Sequence, residues 1–364
     1  MVMGVLQVDL SHKASRASLA SLGSHSKVPL VVTPLRPVTA LVQDPDRLKH
    51  LAERHPVLVS LTAMPGTVHL EVKRDRHDEC APRERKDDAG VIVDSVMTDH
   101  PSWLASGTGA FRAVRCGNAV WAMTVASAED GCRQRTAVDR VSGDGEAPVV
   151  DVVDPATLTG AGDIVDNLRA AGQVARWRNP DLWDALATSI VRQVIRAGQA
   201  RKLYRAFGQA HGEPVVTSHG QTWLFPDPAT VLELSDAEFT RLGMAFKARP
   251  LRAAAEAYLE FGAKWAELEP STLVGEVQNV PRIGPWTAGA TVADLTNDYT
   301  LYPFADLAVR TWAKRLAPQR LWPDTEPEFA RVWAEAAGGQ LSARTLLTLA
   351  WGVRHARTTG VVAL

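Results

Sequence analysis

Cysteine is scarce in this 364-residue chain: Cys80, Cys116 and Cys132 are the only three, and no two form a C-x-x-C pair. That argues against a disulfide framework or a thiolate-clustered metal site and points to a reducing compartment. A charge surplus is also missing, with 40 Lys and Arg against 41 Asp and Glu, a formal net charge of −1. A chain-wide basic surface for polyanions is thereby excluded, so any such affinity must come from a local patch. No apolar run approaches the length of a membrane span. Residues 1–27 are rich in Ser and Ala without a continuous apolar stretch, and read as a flexible tail, not a signal peptide. The ten histidines are scattered without ligand spacing. Gly107-Thr108-Gly109 and Gly160-Ala161-Gly162-Asp163 lack the lysine and the full glycine pattern of a phosphate loop.

What is present divides along the chain, which is long enough for two domains. Stretches 28–33, 57–62, 67–72, 90–96 and 120–127 are rich in Val, Leu and Thr between Pro, Gly and charged clusters, and read as strands. Residues 44–55 read as a helix. The charged tract 73–88 and the polar, Gly-containing tract 128–147 read as loops. These features define a β-rich N-terminal domain over 28–150, a linker over 151–165 and a helical domain over 166–364. The fold class is α+β.

The chemistry concentrates in the helical part. Val280-Pro281-Arg282-Ile283-Gly284-Pro285-Trp286-Thr287-Ala288 interrupts two apolar helical patterns. Gly284 suits a tight reversal, and Pro285 suits a first helical position, where a missing N–H costs nothing. The expected outcome is helix, hairpin, helix. The unpaired N–H groups at the second helix's start, Gly284 and Trp286, would attract a phosphate. The same residues would also serve a plain helix–helix turn. Downstream, Tyr302-Pro303-Phe304-Ala305-Asp306 precedes an amphipathic pattern over 307–316. Asp306 there reads as an N-cap.

Together the hairpin and the aspartate some twenty residues later resemble the core of the helix-hairpin-helix (HhH-GPD) DNA glycosylase superfamily, nearest its 3-methyladenine DNA glycosylase II branch. The resemblance covers about 166–352. It implies a mostly helical core in two lobes, with Asp306 as the catalytic aspartate. An anion near the sugar stabilises the positive charge that builds as a base departs. It implies that the carbonyls of Gln278, Val280 and Ile283 hold a monovalent cation bridging to a DNA phosphate, with no other cofactor. Superfamily members with an iron–sulfur cluster bind it through four cysteines after the helical domain, and none follows Cys132 here. Members that cut the strand use a lysine at the position of Trp286, so the chain reads as a monofunctional glycosylase.

Two further segments match. Gln193-Val194 corresponds to the family's loop in which the residue after a Gln wedges into the duplex where the base has left. Leu242-Gly243-Met244 leads to Lys247 and Arg249, which are placed along a phosphate path. Trp286, Tyr302 and Trp351, with Trp183, are the aromatic candidates for a base pocket. The chain departs from the branch at four places: Arg282 replaces a hairpin glycine, Val194 the usual Leu, Ala290 a pocket tyrosine, and Ser342 a pocket tryptophan. The expectation is a monomeric, cytoplasmic, nucleoid-associated enzyme. It would act on double-stranded DNA and excise a damaged base, an alkylated purine above all, with no membrane partner. The departures motivate an alternative, a non-catalytic lesion or duplex DNA-binding protein on the same scaffold. An enzyme acting on a free nucleoside would need the carboxylate but not the phosphate grip.

Overall fold

The computed structural model describes residues 90–359 without a break, with side chains to Ala356, and five strands within 1–73. By contact the chain divides into two units, 1–83 and 84–364. In the first, β1 (Val5–Val8), β2 (Leu30–Thr33), β3 (Ala40–Val42), β4 (Leu58–Met64) and β5 (Thr67–Lys73) form one sheet in the order β1-β4-β5-β2-β3. Three of these match expected strands, while β1 falls in the stretch read as a tail. The expected helix over 44–55 and the charged tract beyond Lys73 lie outside the described residues.

The second unit opens with a five-stranded antiparallel sheet built from β6 (Ile92–Val93), β8 (Leu104–Ser106), β9 (Gly109–Cys116), β10 (Ala119–Ser127) and β11 (Gln134–Ser142). β11 runs through the tract read as a loop. Its outer half is exposed and polar, so its inward residues give too short an alternation to read. Gly107-Thr108 is the turn of the β8–β9 hairpin. A three-stranded sheet joins β12 (Val150–Val153), β13 (Val174–Trp177) and β7 (Ser95–Val96), with β13 central. The expected boundary at residue 150 is therefore displaced to residue 83. Strands after residue 91 belong to the same contact unit as the helices, and the expected linker 151–165 holds most of β12 and the start of the first helix.

The helices are α1 (Asp163–Ala171), α2 (Leu182–Arg192), α3 (Ala197–His211), α4 (Pro228–Glu233), α5 (Asp236–Arg241), α6 (Ala245–Trp265), α7 (Pro270–Gln278), α8 (Pro285–Thr296), α9 (Leu307–Leu316), α10 (Glu326–Ala337) and α11 (Leu341–Thr359). They bury two separate apolar cores. One lies among α2, α3, α6 and α7, with Phe207, Phe239, Leu251 and Val277 fully enclosed. The other lies among α1, α9, α10 and α11 around Trp312, Phe329 and Trp333. Helix α8 serves both: Ala288 and Val292 enter the first core, Ala290 and Ala293 the second. A helix apolar on opposite sides must be short in side chain, which the Ala-rich sequence supplies. Gly289 takes this furthest. A Cβ there would lie 2.4 Å from the Leu301 carbonyl oxygen, so its absence lets the segment carrying Tyr302 close onto α8.

Candidate active site and nucleic-acid interface

The first turn of α8 and the start of α9 meet at Asp306. Its Oδ1 caps α9, accepting from the Val309 N–H at 2.9 Å. Its Oδ2 accepts from the Tyr302 hydroxyl at 2.6 Å and from Trp286 Nε1 at 3.3 Å. The expected cap and the expected site residue are thus one half-buried carboxylate held by three donors. Tyr302 is buried and its phenol is pushed far above the usual range, by burial first and then by the Asp306 charge. It therefore stays protonated and keeps donating. A carboxylate so fixed has its remaining lone pairs aimed in set directions, which a reaction partner needs from an electrostatic group.

The hairpin forms between α7 and α8. The Val280 N–H closes onto the Val277 carbonyl at 3.2 Å and the Ile283 N–H onto the Val280 carbonyl at 3.0 Å. Arg282 takes a φ of 70° at the tip and is exposed. Gly284 is the N-cap of α8, with no side-chain cap, and Pro285 is the first helical residue. The Gly284 φ of −90° suits any residue, and a Cβ there would meet nothing within 4 Å. The fold itself does not demand glycine at this point, so the open space suits close approach by a partner. The carbonyls of Gln278 and Ile283 accept no backbone hydrogen bond among the described residues. The Val280 carbonyl, by contrast, accepts from the Ile283 N–H.

The loop between α2 and α3 stands beside the same end of α8. Gln193 Nε2 donates to Thr287 Oγ1 at 2.6 Å. Val194 has a φ of 58° and a relative exposure of 102%. A β-branched residue in the left-handed region with no packing to offset it is strained. The expected helix to residue 195 ends at Arg192 because this loop begins there.

Lys247 corrects the expectation placed on it. It is 2% exposed, and its ammonium donates to the Gln193 carbonyl at 2.7 Å. Burial lowers it to about 8. It braces the Val194 loop from inside and is not available to a phosphate. Its exposed neighbour Phe246 has the ammonium 4.9 Å from its ring centre, and Arg249 is exposed on α6.

The other aromatic candidates separate. Trp351 stacks on His355 at 4.6 Å and meets Trp312 edge-on, within the second lobe's packing. Trp183 is enclosed, its Nε1 bonded to the Pro226 carbonyl. Ala290 is core, and Ser342 Oγ accepts from the Tyr299 N–H. Sequence reasoning gave no role to Arg192 or Asp99, which the fold brings within 3.9 Å of each other. Arg192 stands one residue before Gln193, the only local signal it had.

No protein-family model matches this chain, and no curated protein matches it. Solved structures do: the chain has the α+β fold of the helix-hairpin-helix DNA glycosylases. MBOgg1, solved with a low-affinity DNA ligand, superposes with a TM-score of 0.55 at 15% identity, over 74% of this chain and 97% of that one. The 3-methyladenine DNA glycosylase of Archaeoglobus fulgidus gives 0.54 at 17% identity, over 70% and 91%. The 8-oxoguanine glycosylase/lyase of Clostridium acetobutylicum gives 0.53 at 14% identity, over 73% and 96%. Among the described residues no helix is long and apolar enough to cross a membrane, and no cluster of His, Cys, Asp and Glu suits a metal.

Proposed function

We propose that this chain is a monofunctional DNA glycosylase that extrudes a damaged base from duplex DNA and hydrolyses its N-glycosyl bond, leaving an abasic site. The observation that carries the reading is Asp306, oriented by Tyr302, Trp286 and Val309 beside the hairpin that opens α8. The unpaired N–H groups at that helix start would grip a phosphate. The carbonyls of Gln278, Val280 and Ile283 would hold a monovalent cation there, which adds positive charge against the DNA backbone. Val194 would enter the stack as the base leaves it.

In the reaction the C1′–N bond breaks and its electron pair leaves with the base. Positive charge builds on the sugar, and the Asp306 carboxylate stabilises it. Water then adds its oxygen to C1′ and gives up a proton; an uncharged base takes up one proton as it leaves, whereas a cationic alkylated base leaves neutral and the proton passes to solvent. The monofunctional assignment is supported by the lysines. Trp286 occupies the position at which strand-cutting members carry theirs, and Lys247 is buried with its ammonium on the Gln193 carbonyl. The expected alkylated purine belongs to this reading through the resemblance. The aromatic support for it is limited, since among the described residues Trp286 and Tyr302 are the aromatic side chains that hydrogen-bond Asp306. The setting of the reading is a monomeric, cytoplasmic, nucleoid-associated enzyme.

The test is single-turnover base release from duplexes carrying 7-methylguanine, 3-methyladenine, hypoxanthine or 8-oxoguanine, comparing wild type with Asp306→Asn. Asn keeps the helix cap but removes the charge. Its amide meets the Trp286 N–H, a donor that cannot reverse. A unit charge about 4 Å from the sugar contributes about 4 kcal/mol at an intermediate dielectric, so release should fall on the order of a thousandfold. Unchanged release would sink the assignment of Asp306. Tight binding without release by wild type would favour the DNA-binding alternative.

A further inference from the structure

A cavity of about 350 Å³ opens where the start of α1 meets the turn after α9 and the side of α11. Residues Gly162 to Val165 line it. Gly162 is the N-cap of α1 and supplies no side-chain cap, and its φ of 113° with ψ of 168° suits glycine alone. A Cβ there would meet nothing within 4 Å, so the backbone borders open space. The first bond of the helix runs from the Asp166 N–H to the Gly162 carbonyl at 3.0 Å. The N–H groups of Asp163, Ile164 and Val165 donate to no described residue. Two arginines from far along the chain line the same cavity. Arg344 on α11 is 7% exposed and lies over the Trp333 ring, and one of its Nη groups donates to the Ala336 carbonyl. Its Nε is buried without a partner, and its other Nη bonds no described residue. A buried donor without an acceptor is costly, so Arg344 calls for a partner that the chain does not supply. Arg320 is exposed, lies 4.5 Å from the Trp322 ring centre and forms no ion pair with a described residue. Burial first, and the Arg320 charge second, push Arg344 below its ordinary range, so two cations crowd one another here. Asp163 also lines the cavity and, among the described residues, pairs with neither of them.

We propose that this cavity binds the phosphate group of a small anion, free or as a monoester, through the N–H groups that open α1 and the guanidiniums of Arg320 and Arg344. Uncapped N–H groups at a helix start favour a tetrahedral anion. Guanidiniums match phosphate oxygens two at a time and hold their charge at every working pH. The loop Gly160-Ala161-Gly162-Asp163 lacks the lysine of a phosphate loop, and arginines from the turn after α9 and from α11 supply the charge in its place. The volume lies at the lower end of the roughly 300–1,000 Å³ range of small-molecule sites, which leaves room for an organic body beside the phosphate. A duplex backbone stays at the surface and cannot reach a guanidinium that is 7% exposed, so the ligand is small. The cavity shares no residue with the Asp306 site, and the proposal stands apart from the glycosylase reading.

The experiment is calorimetric titration of the full chain at low salt with inorganic phosphate, adenosine 5′-monophosphate, adenosine and an undamaged DNA duplex. The proteins are wild type, Arg344→Gln, Arg320→Gln and Asp163→Asn. Wild type should bind phosphate or the monophosphate and not adenosine, and the tighter of the two distinguishes a free phosphate from a monoester. Each arginine variant should weaken that binding on the order of tenfold, the scale of one charge-assisted hydrogen bond. Arg320 is exposed, so Arg320→Gln keeps the test sound if Arg344→Gln fails to fold. Asp163→Asn should tighten binding, because it removes a like charge from the wall, a response that a merely structural cavity would not give. No binding of either phosphate ligand by wild type, adenosine binding as well as its monophosphate, or an affinity unchanged in Arg320→Gln would overturn the proposal. Loss of duplex affinity in Arg320→Gln with small-ligand binding unaltered would overturn it too and assign that arginine to DNA.

Discussion

Replacing Val194 with glycine should move stability and function in opposite directions. Val194 has a φ of 58° and is fully exposed, so it carries backbone strain without burial to offset it. The left-handed conformation costs an L residue about 1–2 kcal/mol. Glycine removes that cost but adds about 0.5–1 kcal/mol of unfolded-chain entropy. The net effect lies between about zero and 1.5 kcal/mol of stabilisation, a rise of up to a few degrees in Tm for a unit this large. The same substitution at an exposed loop position with negative φ would lower stability by about 0.5–1 kcal/mol, so the sign is diagnostic. Function should suffer. If the side chain becomes buried in the duplex when a base turns out, it contributes about 1.5–3 kcal/mol, or roughly tenfold to a hundredfold in release at limiting enzyme. The assays are thermal unfolding of the free protein and single-turnover release at subsaturating enzyme. A fall in Tm of several degrees would refute the strain argument. Unaltered release would refute the wedge.

The hairpin tip offers a parallel case, since Arg282 has a φ of 70° and is exposed. Arg282→Gly should keep or slightly raise Tm and weaken duplex binding equally across sequences. The slope of log affinity against log salt should shrink by about one if the guanidinium meets a phosphate; an unchanged slope would place it off the DNA. Tyr302→Phe removes the 2.6 Å bond to Asp306 but keeps the ring's packing against Tyr299. It should cost about 1–2 kcal/mol of stability. Base release should fall about tenfold, far less than in Asp306→Asn, because Val309 and Trp286 still orient the carboxylate. Equal losses in the two variants would mean that the hydroxyl, not the carboxylate, meets the substrate.

The residues legible in the sequence were those whose function depends on local geometry. Gly284-Pro285 marked a helix start and Asp306 a cap, and both lie where the local pattern put them. Lys247 was misread because position along a helix does not reveal which face is turned inward. An Ala-rich helix with Lys at 247 and Arg at 249 looks solvated, yet the fold buries the first and exposes the second. Val194 was legible as a position but not as a conformation: nothing local to Gln193-Val194-Ile195 demands a positive φ. That conformation follows from a brace 54 residues away, where Lys247 holds the Gln193 carbonyl, and from Gln193 reaching 94 residues ahead to Thr287.

The sheet's attachment to the helices was illegible for the same reason on a larger scale. Asp184 on α2 accepts from Arg112 on β9 at 3.1 Å, from Asn179 at 3.0 Å and from the Tyr204 hydroxyl, with His100 Nε2 at 3.2 Å. Arg176 on β13 spans Asp99, Asp294 and Asn297. Every one of these charges is enclosed, and enclosure alone would make each unfavourable, so the pairs contribute little net stability. What they impose is register. Removing one partner strands another charge in the interior, so sliding the sheet against α2 or α8 is strongly penalised. That fixes the segment after β7, which carries Asp99, against the end of α2, which carries Arg192. Asp99 accepts from Arg176 at 3.2 Å through each of its oxygens, and Arg192 stands 3.9 Å away as a second, longer ion pair.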